Sequence, residues 1–438
     1  MAHGSFLCRP AGMTVAAVLT GLALASAAAA QDGSEDTGTP IRHPLLEAPK
    51  DRSAGERALR APVTLLEFPF KLLGDGLEET LHFVEQGTFL QDLAELPVWL
   101  EKRHIILTGG NQGNGSGWGV GGGVFANVGR GKLIARTQWT VYNYQTHTLE
   151  LHQPLSGSTR LHAYGRYRQR TRDNFYGVGR DSRDDDQTQY ELSDVDAGLN
   201  LAFAAGPWAV ILGGGWTDYG EVKAGRGDEP ATLDVFPGLD GADGATLISG
   251  AVTLRYPAVL YLGGRAPESG VEATARIYHD AEDEAFGFAR YSLALYRTVP
   301  LFWGDRVLAV RTWVSMTDRA DGQTVPFWML NNLGGAQGLR GFDPLRFRDN
   351  DAALITVEYR FPIWDIGLPG GLGMDALAFV DTGMVSPGLE DDLILAELET
   401  DFGFGFRIRT DAATTARMNV AFGGDDAFRI EFKTGRDF

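Results

Sequence analysis

Cysteine is almost absent from this chain. Of its 438 residues only Cys8 is a cysteine. It lies ahead of an apolar run from Val15 to Leu24, in a segment that reads as a secretory signal peptide over residues 1–30, because Arg9 precedes the run and Ala28-Ala29-Ala30 follows it as a cleavage site. A lipid-anchoring cysteine would follow the run, not precede it. We therefore predict a mature protein without disulfide, thiolate chemistry or lipid anchor.

Long hydrophobic runs and positive charge are also scarce. A membrane-spanning helix needs about 18 consecutive apolar residues. No stretch after the signal peptide is that long, so no membrane-spanning helix is predicted. The chain has 39 Lys and Arg against 57 Asp and Glu, a formal net charge of −18. Most acids cluster in turn-like stretches such as Asp184-Asp185-Asp186. Nucleic acid is excluded as a partner, because it binds through positive charge.

The chain is rich in glycine and aromatic residues, and apolar and polar residues alternate along it with a two-residue period. The 57 Gly and 11% aromatics suit many strands joined by tight turns. Between Ala353 and Phe361 the apolar residues share one face of a strand, while Thr356, Glu358 and Arg360 share the other. A sandwich core would have to desolvate those charges. We therefore predict an all-β fold, a transmembrane antiparallel barrel rather than a soluble sandwich.

The alternation begins only after the first hundred residues. Residues 31–61 are polar and rich in Pro and Gly, which predicts a disordered leader. Residues 62–103 carry apolar side chains at helical spacing, typical of amphipathic helices that pack beneath the barrel mouth or lie on the inner membrane surface. A plug in the lumen or a docking site for a partner is the alternative. About 334 residues follow His104, which gives about sixteen strands over residues 104–438 at about 20 residues per strand and connection.

Three motifs in the last third of the chain occur in a fixed order. They are Gly334-Gly335 followed by Leu339-Arg340-Gly341-Phe342, then Phe379-x-Asp381-x-Gly383, then Gly403-x-Gly405-x-Arg407. Their order and spacing resemble the signature of the BamA/TamA (bacterial surface antigen) superfamily, in which the first motif tips the sixth extracellular loop and the others lie on the thirteenth and fourteenth strands. Glu358 to Pro362 resembles that family's twelfth strand. Asn174 to Gly179 and the terminal Phe438 extend the resemblance across the barrel.

The resemblance implies an integral protein of the bacterial outer membrane, with outer-membrane lipid and lipopolysaccharide around it. It also implies an assembly or translocation factor that acts on a client outer-membrane or secreted polypeptide. Family members usually carry periplasmic POTRA modules of mixed helix and strand, and residues 31–103 show no such alternation. The chain is therefore expected to be a short member without them.

The residues themselves suggest how such a loop is held. Counting by two along each strand puts Glu358, Phe379, Asp381, Gly403, Gly405 and Arg407 on the lumen side. A loop folded inward would place Arg340 beside Asp381 and Glu358, while Gly403 and Gly405 leave room for the loop backbone. The alternative is an ordinary solvated loop, with Glu358 paired locally to Arg360.

The glycine run from Gly109 to Gly123 reads as the first barrel strand, and the last strand ends at Phe438. Glycine weakens strand pairing, so we predict a seam at Gly119, Gly121 and Phe438. An opened seam would offer a template for a client strand. A closed, merely curved strand is the alternative.

No catalytic constellation is visible. The mature histidines lack the companions of a hydrolase triad, and His162 reads as part of a lumen-lining basic ladder with Arg166 and Arg168. Acidic stretches lack the ligand spacing of a calcium loop. We predict no enzyme activity, metal or cofactor. The function indicated is client handling through the seam and a lumen gated by the Arg340 loop; the alternative is a structural or passive pore-forming barrel without a client.

Overall fold

The structure is a computed structural model. It describes residues 67, 99–100, 102–113, 115–258, 269–301, 306–336, 338–365, 373–392, 398–409, 414–424 and 426–434. The predicted signal peptide, the predicted leader, most of residues 62–103 and the terminal Phe438 lie outside these ranges. Within them, no helix is both long enough and apolar enough to pass through a membrane.

In the described part of the chain, sixteen antiparallel strands form the wall of a nearly closed barrel. They are β1 (Ile105–Asn111), β2 (Trp118–Val128), β3 (Gly131–Thr140), β4 (Gln145–Pro154), β5 (Thr159–Phe175), β6 (Thr188–Ala205), β7 (Trp208–Tyr219), β8 (Ala245–Tyr256), β9 (Ser269–Asp280), β10 (Gly287–Pro300), β11 (Val307–Arg319), β12 (Asp351–Asp365), β13 (Gly373–Ser386), β14 (Glu399–Arg409), β15 (Thr414–Phe422) and β16 (Arg429–Thr434). Each strand pairs with the next along the chain, and β16 returns to within 8 Å of β1. The predicted fold and strand number are confirmed.

The two ends of the barrel differ in the length of their connections. Tight turns at Gly129-Arg130 and Gly206-Pro207 join strands at one end, whereas residues 176–187, 220–244 and 320–350 form long loops at the other. In outer-membrane barrels the short turns face the periplasm and the long loops face outward. Because the strand number is even, β1 begins and β16 ends on the periplasmic side.

The two faces of the wall differ in chemistry. Outward-facing apolar side chains such as Leu149 and Ile355 are 53% and 42% exposed, as expected of a surface that meets lipid. Inward-facing positions carry charges that pair across strands, for example Arg168 on β5 with Asp194 on β6 at 3.0 Å. The apolar layer thus lies outside and the charged layer inside, the reverse of a soluble sandwich.

Loops fill the outward end of the barrel. The loop between β11 and β12 contains a short hairpin, Asn331–Leu333 paired with Phe347–Asp349. Side chains from this loop and from the wall form two buried clusters at this end of the barrel. The first includes Phe175, Tyr190, Phe288, Phe327 and Trp328, and the second includes Leu333, Leu339, Phe342, Phe347 and Leu354.

The glycine run does not form a single strand, and the prediction that Gly119 and Gly121 lie on the first strand was wrong. The run turns between β1 and β2, so both glycines lie on β2, where they pair with β1 on one side and β3 on the other. A Cβ on Gly121 would lie 2.2 Å from the Thr137 carbonyl oxygen of β3. These glycines therefore permit close packing of the wall one strand away from the place where β1 and β16 meet.

One residue of the predicted helical segment is fixed against the barrel. Glu67 lies in a helix and is buried, and its carboxylate accepts hydrogen bonds from Arg306 Nε and Nη2 at 2.6 and 2.7 Å and from the Tyr359 hydroxyl at 2.7 Å. Tyr359 belongs to the outward face of β12, opposite in alternation to Glu358. Glu67 therefore contacts the outside of the wall, near the periplasmic turn that carries Arg306.

Candidate functional site

The β11–β12 loop folds back into the lumen and ends in a compact turn. Gly334 and Gly335 have φ values of 108° and 81°, a backbone region that favours glycine. The turn closes through hydrogen bonds from the Gly335 amide to the Leu339 and Phe342 carbonyls, both at 3.1 Å. Leu339 and Phe342 are buried in the second cluster. Their burial fixes the residue between them, Arg340, in orientation toward the wall.

Arg340 binds two wall carboxylates. Its Nε and Nη2 donate to the two oxygens of Asp381 on β13 at 2.7 and 2.9 Å, and its Nη1 donates to Glu358 Oε1 on β12 at 2.9 Å. The guanidinium also lies 3.4 Å from the ring centroid of Phe379. The Arg340 side chain is 3% exposed and both carboxylates are 0% exposed. Such a bidentate contact in a buried site is strong and directional.

Further charged and acidic side chains surround the contact between Arg340 and the wall. Glu358 Oε2 also accepts hydrogen bonds from Arg360 Nε at 2.8 Å and Arg417 Nη2 at 2.9 Å. Asp401 on β14 accepts the backbone N–H of Gly341 at 2.8 Å. Arg340, Arg360 and Arg417 thus surround Glu358, and opposite charge beside a buried carboxylate offsets the cost of removing it from water.

The electrostatic effect on Arg340 follows from the same neighbours. Burial lowers the pKa of the Arg340 guanidinium, but the Asp381 and Glu358 carboxylates raise it by more, so the net pKa lies above its ordinary value. Arg340 therefore remains charged at physiological pH. We call this group of Arg340, Glu358, Asp381, Asp401 and Arg417 the loop lock.

The wall glycines leave room for a ring rather than for the loop backbone. A Cβ on Gly403 would lie 2.1 Å from the Val420 carbonyl oxygen and 2.6 Å from Phe379 Cζ. The loop backbone instead approaches the wall at Gly341, where a Cβ would lie 2.8 Å from Asp401 Cβ. Gly403 thus lets the Phe379 ring lie flat under Arg340, a different role from the one expected.

The other predicted positions lie apart from the loop lock. Gly383 on β13 packs near Leu333 of the loop hairpin, where a Cβ would lie 3.1 Å from Leu333 Cδ1, while Gly405 contacts β15. Arg407 pairs with Asp375 of β13 at 2.8 Å. Gly119 and Gly121 lie on β2, and Phe438 lies outside the described residues.

Sequence reasoning missed two members of the lock, Asp401 and Arg417. Counting by two along the strands would have found both. Asp401 precedes Gly403 by two residues on β14, and Arg417 on β15 lies opposite Arg407 on β14. What the sequence could not show is that the loop backbone, and not only Arg340, is held by the wall.

A second segment braces the base of the loop. Arg348 Nη2 donates to the Asn174 carbonyl at 3.0 Å, and the Gly179 amide donates to the Arg348 carbonyl at 2.7 Å. Phe175 and Tyr176 between them are buried. The Asn174 to Gly179 segment singled out from the sequence therefore packs directly against the loop that carries Arg340.

Known proteins resemble this chain in part of its sequence and in its fold. Residues 264–438, which include all of the loop lock, match the Omp85 superfamily domain. The structure of BamA from Haemophilus ducreyi lacking POTRA domains 1–3 is similar at a TM-score of 0.53 and 14% identity, over 75% of this chain and 68% of that one. CdiB from Escherichia coli gives a TM-score of 0.48 at 14% identity, over 75% and 61% of the two chains. No curated protein matches the chain.

Proposed function

We propose that this outer-membrane barrel assembles or translocates a client polypeptide, and the match of residues 264–438 to the Omp85 superfamily domain supports this. In this proposal the client engages a seam between β1 and β16, and the loop that carries Arg340 gates the lumen. The observation that carries the proposal is the loop lock, which with Arg360 buries six charged groups to fix a long outward loop inside the barrel. A barrel that served only as a wall would not need that arrangement.

The filled mouth supports gating over a passive pore. The two clusters of buried apolar side chains close the outward end, and the lock secures the loop below them. A passive pore-forming barrel, the alternative function, needs an open lumen in its resting state. In the resting structure the loop is fixed in the lumen, so passage through it requires the loop to move.

The first strand supports a seam that parts. β1 has 7 residues where its neighbour β2 has 11, and it contains Gly109 and Gly110. Gly110 has a φ of 123°, which departs from regular strand geometry. A short, irregular strand pairs less strongly, and a parted strand edge is a template for β-augmentation by an incoming strand. The chemistry is main-chain hydrogen bonding, and we propose no enzyme activity.

The decisive experiment is a disulfide across the seam. A cysteine at Leu107 on β1 is combined in turn with single cysteines along residues 429–434 of β16; the control places cysteines at the facing pair Ile105 and Val124 of β1 and β2. The only natural cysteine is Cys8, in the predicted signal peptide. The readout in cells is the level of outer-membrane proteins that fall when the gene is deleted.

We expect the β1–β16 disulfide to abolish that activity under oxidising conditions and reductant to restore it, while the β1–β2 disulfide leaves it intact. Full activity of an oxidised β1–β16 barrel would refute the seam. Ion conductance of the native protein in planar bilayers, without any client phenotype on deletion, would instead support the passive barrel.

A further inference from the structure

Two histidines and a glutamate meet on the lumen wall, far from the loop lock in sequence. Glu150 and His152 are two residues apart on β4, and His162 on β5 lies directly opposite His152 in the ladder. Alternation places all three side chains on the inward face, because Leu149 and Leu151 between and beside them face lipid. His152 is near the end of β4 and His162 near the start of β5, so the group lies toward the periplasmic end of the lumen.

The distances suit a shared ligand. His152 Nε2 lies 3.0 Å from Glu150 Oε2, and His162 Nε2 lies 4.0 Å from the same oxygen. One nitrogen or oxygen from each residue lies within 4.8 Å of the other two. In a tetrahedral site with bonds of about 2.0–2.2 Å, ligand atoms lie about 3.3 Å apart. Side-chain rotations of these partly exposed residues would have to bring the ligand atoms from their present separations to that spacing.

One nitrogen atom of the group lacks a hydrogen-bond partner among the described residues. His162 Nε2 is buried and has no hydrogen-bond partner among the described residues. Its ring stacks on His152 with centroids 4.5 Å apart and planes at 15°, and this stacking gives His162 Nε2 no hydrogen bond, whereas His152 Nε2 is hydrogen-bonded to Glu150 Oε2. A buried nitrogen without a partner needs an explanation, and a bound cation facing Nε2 would supply one.

Neighbouring groups hold the ligands in place. Arg136 Nη1 lies 3.3 Å from Glu150 Oε1, which orients the carboxylate and leaves Oε2 for the shared position. The Asn200 side-chain nitrogen Nδ2 lies 3.4 Å from His162 Nδ1. A half-turn of this amide about its Cβ–Cγ bond would bring Oδ1 to the same position. There Oδ1 would accept the Nδ1 proton and leave the Nε2 lone pair for the metal, as hydrogen-bond partners of histidine ligands do.

We propose that Glu150, His152 and His162 form a binding site for a divalent transition metal ion such as Zn²⁺, with at least one open coordination position facing the lumen. Two imidazoles and one carboxylate favour Zn²⁺, Cu²⁺ or Ni²⁺ over Mg²⁺ or Ca²⁺, which prefer oxygen ligands. The sequence predicted no metal, because the third ligand comes from a neighbouring strand. The site does not depend on the proposed function.

The test is a Zn²⁺ titration of the refolded full chain in detergent, by calorimetry, after removal of metals with a chelator. We expect saturable binding of one Zn²⁺ per chain and, with Co²⁺ as a substitute, visible absorption typical of low coordination number. His152→Ala and His162→Ala should weaken Zn²⁺ binding by more than about 100-fold, and Asn200→Ala by about 10- to 100-fold, as for a residue that orients a ligand.

The matched control is His147→Ala, which removes a histidine from the same strand β4 but from its outward face, where it stacks near Tyr167. It should leave binding unchanged. Glu150→Gln keeps the shape of the side chain and provides a second variant if a histidine variant fails to fold, as judged by heat-modifiability on a gel. Absence of saturable binding to the native chain, or equal binding by folded Glu150→Gln and native protein, would overturn the proposal.

Discussion

Replacing Arg340 by alanine tests the loop lock most directly. The change removes the guanidinium that donates to Asp381 at 2.7 and 2.9 Å and to Glu358 at 2.9 Å. Glu358 retains Arg360 and Arg417, but Asp381 is left in a buried site beside Asp401. Removal of one partner from a buried ion pair typically costs about 3–5 kcal/mol, because the remaining charge stays desolvated. We expect a loss of that size in the free energy of unfolding.

The assay is urea unfolding of the refolded barrel, followed by tryptophan fluorescence, together with heat-modifiability and protease sensitivity of the 320–350 loop. Arg340→Lys should lose less, about 1.5–3 kcal/mol, because an ammonium keeps the charge but not the bidentate geometry. Arg319→Ala is the control, since Arg319 is an exposed arginine at the end of β11, just before the same loop.

A double-mutant cycle identifies the partner. If Arg340 and Asp381 act as a pair, adding Asp381→Ala to Arg340→Ala should cost less than the sum of the single changes, by an interaction energy of about 0.5–3 kcal/mol. An unfolding midpoint and loop protection in Arg340→Ala equal to those of the native protein would refute the lock and support a solvated loop.

Two further changes probe the wall and the N-terminal segment. Gly403→Ala should destabilise the barrel, because the added Cβ would lie 2.1 Å from the Val420 carbonyl and 2.6 Å from Phe379 Cζ; a thermal midpoint at or above that of the native barrel would contradict this. Arg306→Ala should free Glu67, so limited proteolysis should cut residues 62–103 faster while the barrel itself stays heat-modifiable; unchanged cleavage there would show that other contacts hold the segment.

The course of the wall followed from local sequence alone. Alternation between Ala353 and Phe361 reflects a physical necessity, since a strand between lipid and a polar lumen must present one face to each. The same counting by two places Glu358 and Asp381 in the lumen, and it applies equally to Asp401 and Arg417. Strand number followed from length, because the thickness of the membrane sets the length of each strand.

Contacts between distant segments were decided only by the tertiary structure. The register between strands and the point to which a loop of about thirty residues returns decide three features. The glycine run forms two strands, Gly403 accommodates the Phe379 ring, and Asp401 holds the Gly341 backbone. His162 illustrates the limit most clearly. In the sequence it belongs to a basic ladder, and only the pairing of β4 with β5 brings it to Glu150 and His152. A site formed by residues of two strands leaves no fixed spacing of ligand residues in the sequence.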